Sequence, residues 1–130
     1  MNKEEIIRYL KKVGFNTRKI VVISEAAMVL QNIKDSATKI DIAVREDYET
    51  LLLNNYDCMA ALKDVNDIVL SYKYDDVINF WRNYFTYDVD YVDGVPCQKV
   101  SDIVFLKKEL NRKEDVRDLK LIYKKRGYYE

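Results

Sequence analysis

Residues 20–44 of this chain read IVVISEAAMVLQNIKDSATKIDIAV, and the fold turns on that stretch. Four β-branched residues, Ile20-Val21-Val22-Ile23, suit a short strand buried on both faces. Ser24-Glu25 makes a turn, and Ala26, Ala27, Met28, Val29 and Leu30 form a short apolar run that favours helix. Asn32 to Thr38 is polar and without period, so it reads as a loop. Lys39 to Val44 is a second strand, with Asp41 set among apolar residues. The order is strand, tight turn, short helix, loop, acid-bearing strand. The two strands are expected side by side in one sheet, with the helix between them in sequence.

Outward from this unit, Asn2 followed by Glu5 fits a capping box, and Ile6, Ile7, Leu10 and Val13 share one helical face before Gly14 stops it. A first helix over Lys3 to Val13 follows. Glu46 to Leu53 has helical composition and ends at Asn54-Asn55. Tyr56 to Asn66 serves either a helix or a buried strand, and loop plus short helix is the expectation. Ile68 to Tyr74 alternates as a strand, while Val77 to Tyr84 fits an edge strand or a helix. Along Thr86 to Val92, Tyr87, Val89 and Tyr91 point one way and Asp88, Asp90 and Val92 the other. Asp93-Gly94 is a type I′ hairpin signal leading to a strand over Val95 to Val100, with Pro96 at an edge or a strand start. Ser101 is positioned to cap a helix carrying Ile103, Leu106 and Leu110, Asn111 breaks it, and a last helix runs from Lys113 to about Lys125.

Composition narrows the function classes. The 130 residues and 15.5 kDa make one domain, 1–130, with room for a core. The 22 basic and 22 acidic residues cancel, so no net basic field draws in nucleic acid, and the basic runs Lys107-Lys108 and Lys124-Lys125-Arg126 have acids interleaved. Histidine is absent, which excludes imidazole zinc sites and histidine acid–base catalysis. Cys58 and Cys97 read as free buried thiols. The amino-terminal segment is charged and amphipathic, and no apolar run approaches the ~20 residues of a membrane span. A cytoplasmic protein without a membrane partner is the expectation. Eleven tyrosines on a chain of zero net charge point to a homo-oligomer or a protein partner met through a tyrosine-rich face. Tyr72, Tyr74, Phe80, Trp81, Tyr84 and Phe85 form a dense aromatic group, either core with its rim or that partner surface.

The unit over residues 20–44 resembles the core of the nucleotidyltransferase superfold, in which the first turn reads Gly-Gly or Gly-Ser and the second strand carries Asp-x-Asp. The tail strengthens it. Residues 92–102, VDGVPCQKVSD, are similar to the family's hairpin into "slEdl", and residues 106–115, LKKELNRKED, to its "K-x-x-L-x-R-x-K-D" segment. Small nucleotidyltransferase-like proteins linked to abortive infection and toxin systems end this way. The resemblance leaves only residues from about Tyr56 to Tyr84 without an anchor. It implies an α+β domain of minimal nucleotidyltransferase-like fold, a short mixed sheet flanked by helices.

It also implies a site. Family members use two carboxylates on the second strand and a third from a neighbouring strand to hold magnesium against the triphosphate of an NTP. Here Asp41 matches the second acid and Lys39 stands where the first belongs. An ammonium has no lone pair to ligate a metal. Lys39 either replaces the ion's charge by pairing with Asp41 and a nearby acid, or is a solvated strand-edge lysine. Asp88 and Asp90 are candidates for the third acid, so the implied catalytic set is Asp41, Asp88 and Asp90, with Asp41 and Asp90 as metal ligands. Ser24, Glu25 and Lys39 occupy the nucleotide-binding positions. Glu25 brings negative charge to the phosphate end of the helix, and capping that helix is its ordinary role. Two functions follow. One is a magnesium-dependent enzyme passing a nucleoside monophosphate from an NTP to a protein or RNA acceptor. The other is a catalytically degenerate relative acting as a binding or regulatory protein in a defence or toxin–antitoxin setting, which Lys39 and the missing turn glycine favour.

Overall fold

A computed structural model describes residues 1–82 and 89–127. Helix α1 (Lys3–Val13) starts with the expected capping box. The Glu5 amide donates to Asn2 Oδ1 at 2.9 Å and the Asn2 amide to Glu5 Oε1 at 3.0 Å. It ends at Gly14, whose φ of 78° is the left-handed C-cap that glycine adopts without a Cβ penalty. Then come β1 (Ile20–Ile23), α2 (Ser24–Leu30), β2 (Ile40–Val44) and α3 (Glu46–Asn55). A run of strands follows, β3 (Met59–Lys63), β4 (Val69–Lys73), β5 (Ile78–Arg82), β6 (Val89–Val92) and β7 (Val95–Gln98), before α4 (Val100–Leu110) and α5 (Lys113–Arg126) close the chain. The result is an α+β domain on one seven-stranded mixed sheet in the order β3-β4-β5-β2-β1-β7-β6.

The centre of that sheet is the unit over residues 20–44. β1 and β2 pair antiparallel from Ile20↔Val44 to Ile23↔Asp41, and β5 lies parallel to β2 from Ile40↔Ile78 to Val44↔Arg82. Paired residues face the same way, so Val22, Ile42 and Phe80 form one row and Ile20 and Val44 another on the same face. That face joins Ile6 and Leu10 of α1 and Ala26, Met28 and Leu30 of α2 in a single core, in which Phe80 is fully buried and stacks on Tyr72 at 5.4 Å. The opposite face carries Val21, Ile23, Asp41, Ala43, Asn79 and Trp81, and it is the side that meets α4.

Three expectations need correction. Tyr56 to Asn66 holds the strand β3, not a loop with a short helix. All five residues of β3 are exposed, so their hydrophobicity follows no burial period, and pairing with β4 decides their state. Its hairpin is held by the Asp64 carboxylate, which accepts the amides of Asn66 at 2.8 Å and Ile68 at 3.0 Å. Second, the segment over Val77 to Tyr84, open between helix and edge strand, supplies β5 in the interior of the sheet. Third, Ser101 caps nothing: α4 begins at Val100 without a side-chain cap, and Leu106 and Leu110 stay exposed. The Asp93-Gly94 hairpin forms as expected, with φ of 50° and 81° at the two central residues.

The aromatic group separates into layers. Phe80 is core, Tyr72 and Tyr74 are half-buried at its rim, and Trp81 points to the other face, while Tyr84 and Phe85 lie outside the described residues. Among the described residues, no helix is long and apolar enough to cross a membrane. Because Phe80 fills the middle of the core, Phe80→Ala should lower the unfolding free energy by about 3–5 kcal/mol. Urea denaturation measures this as a shifted midpoint with an unchanged m-value.

Candidate functional site

Strand alternation puts Asp41 on the face away from the core, since Ile40 and Ile42 must point into it. There the carboxylate accepts a hydrogen bond from Trp81 Nε1 at 3.0 Å. Burial pushes the Asp41 pKa up, Glu25 adds to the rise, and the Trp81 bond and the Lys39 charge oppose it. The neighbours in register are Ile23 on β1 and Asn79 on β5. Thus the strand beside Asp41 offers a neutral amide where a third carboxylate would complete a magnesium site.

Lys39 is exposed, and its ammonium donates to the Asp76 carbonyl at 3.2 Å. No ion pair with Asp41 forms within 4.0 Å among the described residues, so the proposed pairing gives way to a strand-edge lysine on a backbone acceptor. Asp90 lies on β6, the far edge, separated from β2 by β1 and β7. Three strand spacings put it about 14 Å from Asp41 across the sheet. It pairs with Cys97, which pairs with Val22, so it also belongs to the opposite face. The structure therefore does not bring Asp41 and Asp90 together as ligands of one ion. Asp88 lies outside the described residues.

Ser24 holds a φ of 58°, a left-handed conformation that costs a non-glycine residue roughly 1 kcal/mol. The turn geometry that glycine would ease is kept without the glycine. Its amide is already used, donating to Gln98 Oε1 at 3.1 Å. Gln98 is itself anchored, because Gln31 Nε2 donates to its carbonyl at 2.8 Å. Glu25 does not cap α2. Its carboxylate accepts the Thr38 amide at 3.2 Å and the Lys34 ammonium at 3.1 Å, fastening the loop between α2 and β2.

Opposite this sheet face, α4 and the start of α5 form the other wall of a cleft of about 510 Å³. Val21, Ile23 and Trp81 line the sheet side and Leu106 and Leu110 the helix side, with Ser24, Gln98 and Arg112 as polar groups. The wall is held by ions. Asp115, 0% exposed, accepts from Arg112 Nε at 2.7 Å and Nη2 at 3.2 Å, and from Lys107 Nζ at 3.3 Å. The Arg112 guanidinium holds the Asp115 carboxyl down at about 2, the Lys107 ammonium adding to it. Lys107 also meets Asp118 at 2.9 Å, and Asp118 meets Lys34 at 3.0 Å, which links the corner back to Glu25. In the segment that resembles the family tail, Lys107, Arg112 and Asp115 thus form a clamp between two helices.

Trp81, Asn79 and Gln98 are site residues that sequence reasoning missed. Their positions depend on which strands lie beside β2 and β1, and local pattern does not carry that. Among the described residues, no three His, Cys, Asp or Glu side chains gather into a group suited to a metal ion. Among the described residues, the groups around Asp41 fit magnesium poorly: a partly buried carboxylate bound to an indole, a neutral amide, a nearby ammonium, and Glu25, which is already held by Lys34 and the Thr38 amide. Comparison with protein-family models, with curated proteins and with solved structures returns no match.

The raised Asp41 pKa has a signed consequence. The folded protein holds this proton more tightly than the unfolded chain, so the group's contribution to stability falls as pH rises through its folded pKa. Asp41→Asn keeps an acceptor for Trp81 without the charge. The variant should be at least as stable as the parent at pH 7 and should flatten the weakly acidic part of the stability–pH curve, as read by urea denaturation across that range.

Proposed function

We propose that this chain is a nucleotidyltransferase-like domain that has given up metal-dependent transfer and works as a binding or regulatory protein, in a defence or toxin–antitoxin setting. One observation carries the reading: among the described residues no second carboxylate stands in register beside Asp41, and Glu25, whose charge it feels, is held by Lys34 and the Thr38 amide. The in-register neighbours of Asp41 are Ile23 and Asn79, and the position two residues before it is Lys39. Nucleotidyl transfer needs carboxylates to hold magnesium on the triphosphate and to lower the pKa of the attacking hydroxyl. A single carboxylate with a raised pKa, next to an amide and an ammonium, offers little for either task. The cleft beside it supports a binding role, with an apolar floor of Val21 and Ile23, the Trp81 ring and a few polar groups at its rim.

A second reading keeps the enzyme, with magnesium and an NTP as cofactors and a protein or RNA acceptor. It is favoured by the left-handed turn at Ser24, which retains the geometry of a phosphate-approaching turn beside a strand carboxylate. Against it, the Ser24 amide is satisfied by Gln98.

Isothermal titration separates the two. The parent should give no magnesium-dependent heat with ATP, and the double substitution Lys39→Asp, Asn79→Asp, which rebuilds three carboxylates around one point, should gain it. If the parent binds magnesium-ATP in the micromolar range and loses it on Asp41→Ala, the degenerate reading is wrong and Asp41 is a working ligand.

A further inference from the structure

We propose that the outward face of α5 is a docking stripe for the phosphate backbone of a single-stranded nucleic acid. Linear order conceals it, because acids and bases alternate between Lys113 and Lys124. Folding sorts them. Asp115 is fully buried under Arg112 and Lys107, and Asp118 is turned inward against Lys107 and Lys34. Leu119 and Ile122 are buried on the same side, and the Arg126 guanidinium reaches inward to donate to the Gln31 carbonyl at 2.6 Å. At about 100° per residue, Lys113, Arg117, Lys120 and Lys124 then fall together on the opposite side of the helix.

All four are exposed, and among the described residues none of them makes an ion pair within 4.0 Å. Their spacing of four, three and four residues makes a row about 16 Å long. Successive charges lie about 5–6 Å apart, inside a Debye length of about 8 Å at physiological salt, so their fields add. In the free protein these like charges repel one another, and Lys113, in the first turn, also opposes the helix dipole. An external polyanion relieves both. The exposed acid of the first turn, Glu114, is drawn aside to Arg112 at 3.5 Å.

The shape favours a polymer. Arg117, Lys120 and Lys124 border a groove of about 530 Å³ that also takes in Leu121, Lys34 and the acids Glu25, Glu114 and Asp118, of which Glu25 and Asp118 are paired with Lys34 and Glu114 with Arg112. A row of cations at regular steps matches a chain whose charge repeats along its length. A membrane surface would call for apolar residues on the presented face, and α5 keeps Leu119 and Ile122 inside. The zero net charge of the chain makes the row local, so a nucleic acid is engaged by this face and not by general attraction. The proposal does not rest on the reading of the Asp41 site.

The test is fluorescence anisotropy of the full chain with labelled oligouridylate and oligothymidylate of about 20 nucleotides, between about 50 and 200 mM salt. Binding of either supports the stripe. The logarithm of the affinity should fall against that of salt with a slope of about −3, from four phosphate contacts at about 0.7 each. Lys120→Gln with Lys124→Gln should halve that slope and weaken binding about tenfold at low salt. Lys11→Gln with Lys12→Gln on α1 should change nothing, and far-UV circular dichroism checks that both variants are folded. The proposal is overturned by no anisotropy change at the lowest salt, by an equal loss in the α1 variant, or by tighter binding to polyglutamate or phosphatidylserine vesicles than to either oligonucleotide.

Discussion

The register of β2 between β1 and β5 is the constraint on which the rest depends. It sets Ile42 in one row with Val22 and Phe80 and Val44 in one row with Ile20, and that face meets α1 and α2. A slip of one residue would turn Asp41 into the core and Ile42 out of it. A carboxylate there would lose water without gaining a partner, a penalty that apolar packing could not offset. The same alternation that builds the core therefore delivers Asp41 to the far face. Trp81, alternating on β5 with buried Phe80, is delivered there too, and its indole meets the carboxylate. Core and site are two sides of one pleat.

Electrostatics organises the other wall of the cleft. The corner between α4 and α5 is closed by Asp115, which takes bonds from both Arg112 and Lys107. A buried carboxylate with two cationic partners is satisfied, so it fixes the angle at which α5 leaves α4. Asp118 and Lys34 extend the chain of charges to Glu25 at the start of α2. In a tail resembling a catalytic family's signature, Lys107, Arg112 and Asp115 are here engaged in holding helices together. The cost is an unequal surface. With Asp115 and Asp118 drawn inward, α5 shows water its lysines and Arg117 beside one exposed acid, Glu114, although the chain as a whole is neutral.

Local pattern alone determined the central unit. Ile20 to Ile23 and Ile40 to Val44 are so densely β-branched and apolar that strand is their only economical state, and Ala26 to Leu30 between them has the composition of a short buried helix, which in the structure takes in Ser24 and Glu25 as well. The capping box at Asn2 and Glu5, the stop at Gly14 and the Asp93-Gly94 hairpin were equally legible, because each is a local device whose partners lie within a few residues. The presence of Lys39 two positions before Asp41, where a second strand acid would stand, was also visible in sequence.

Tertiary structure decided the remainder, and the reason is range. β3 is exposed on all five residues, so no burial period marks it, and only the partner strand β4 makes it a strand. Asn79 and Trp81 became site residues because β5 lies parallel to β2, a pairing across some forty positions that no local window contains. Asp90 left the site for the same reason: its strand is the far edge of the sheet. The charges of α5 alternate in one dimension, and only the packing of Leu119, Ile122 and Asp115 against the body of the protein turns Asp115 and Asp118 inward and leaves Lys113, Arg117, Lys120 and Lys124 together on the outer side.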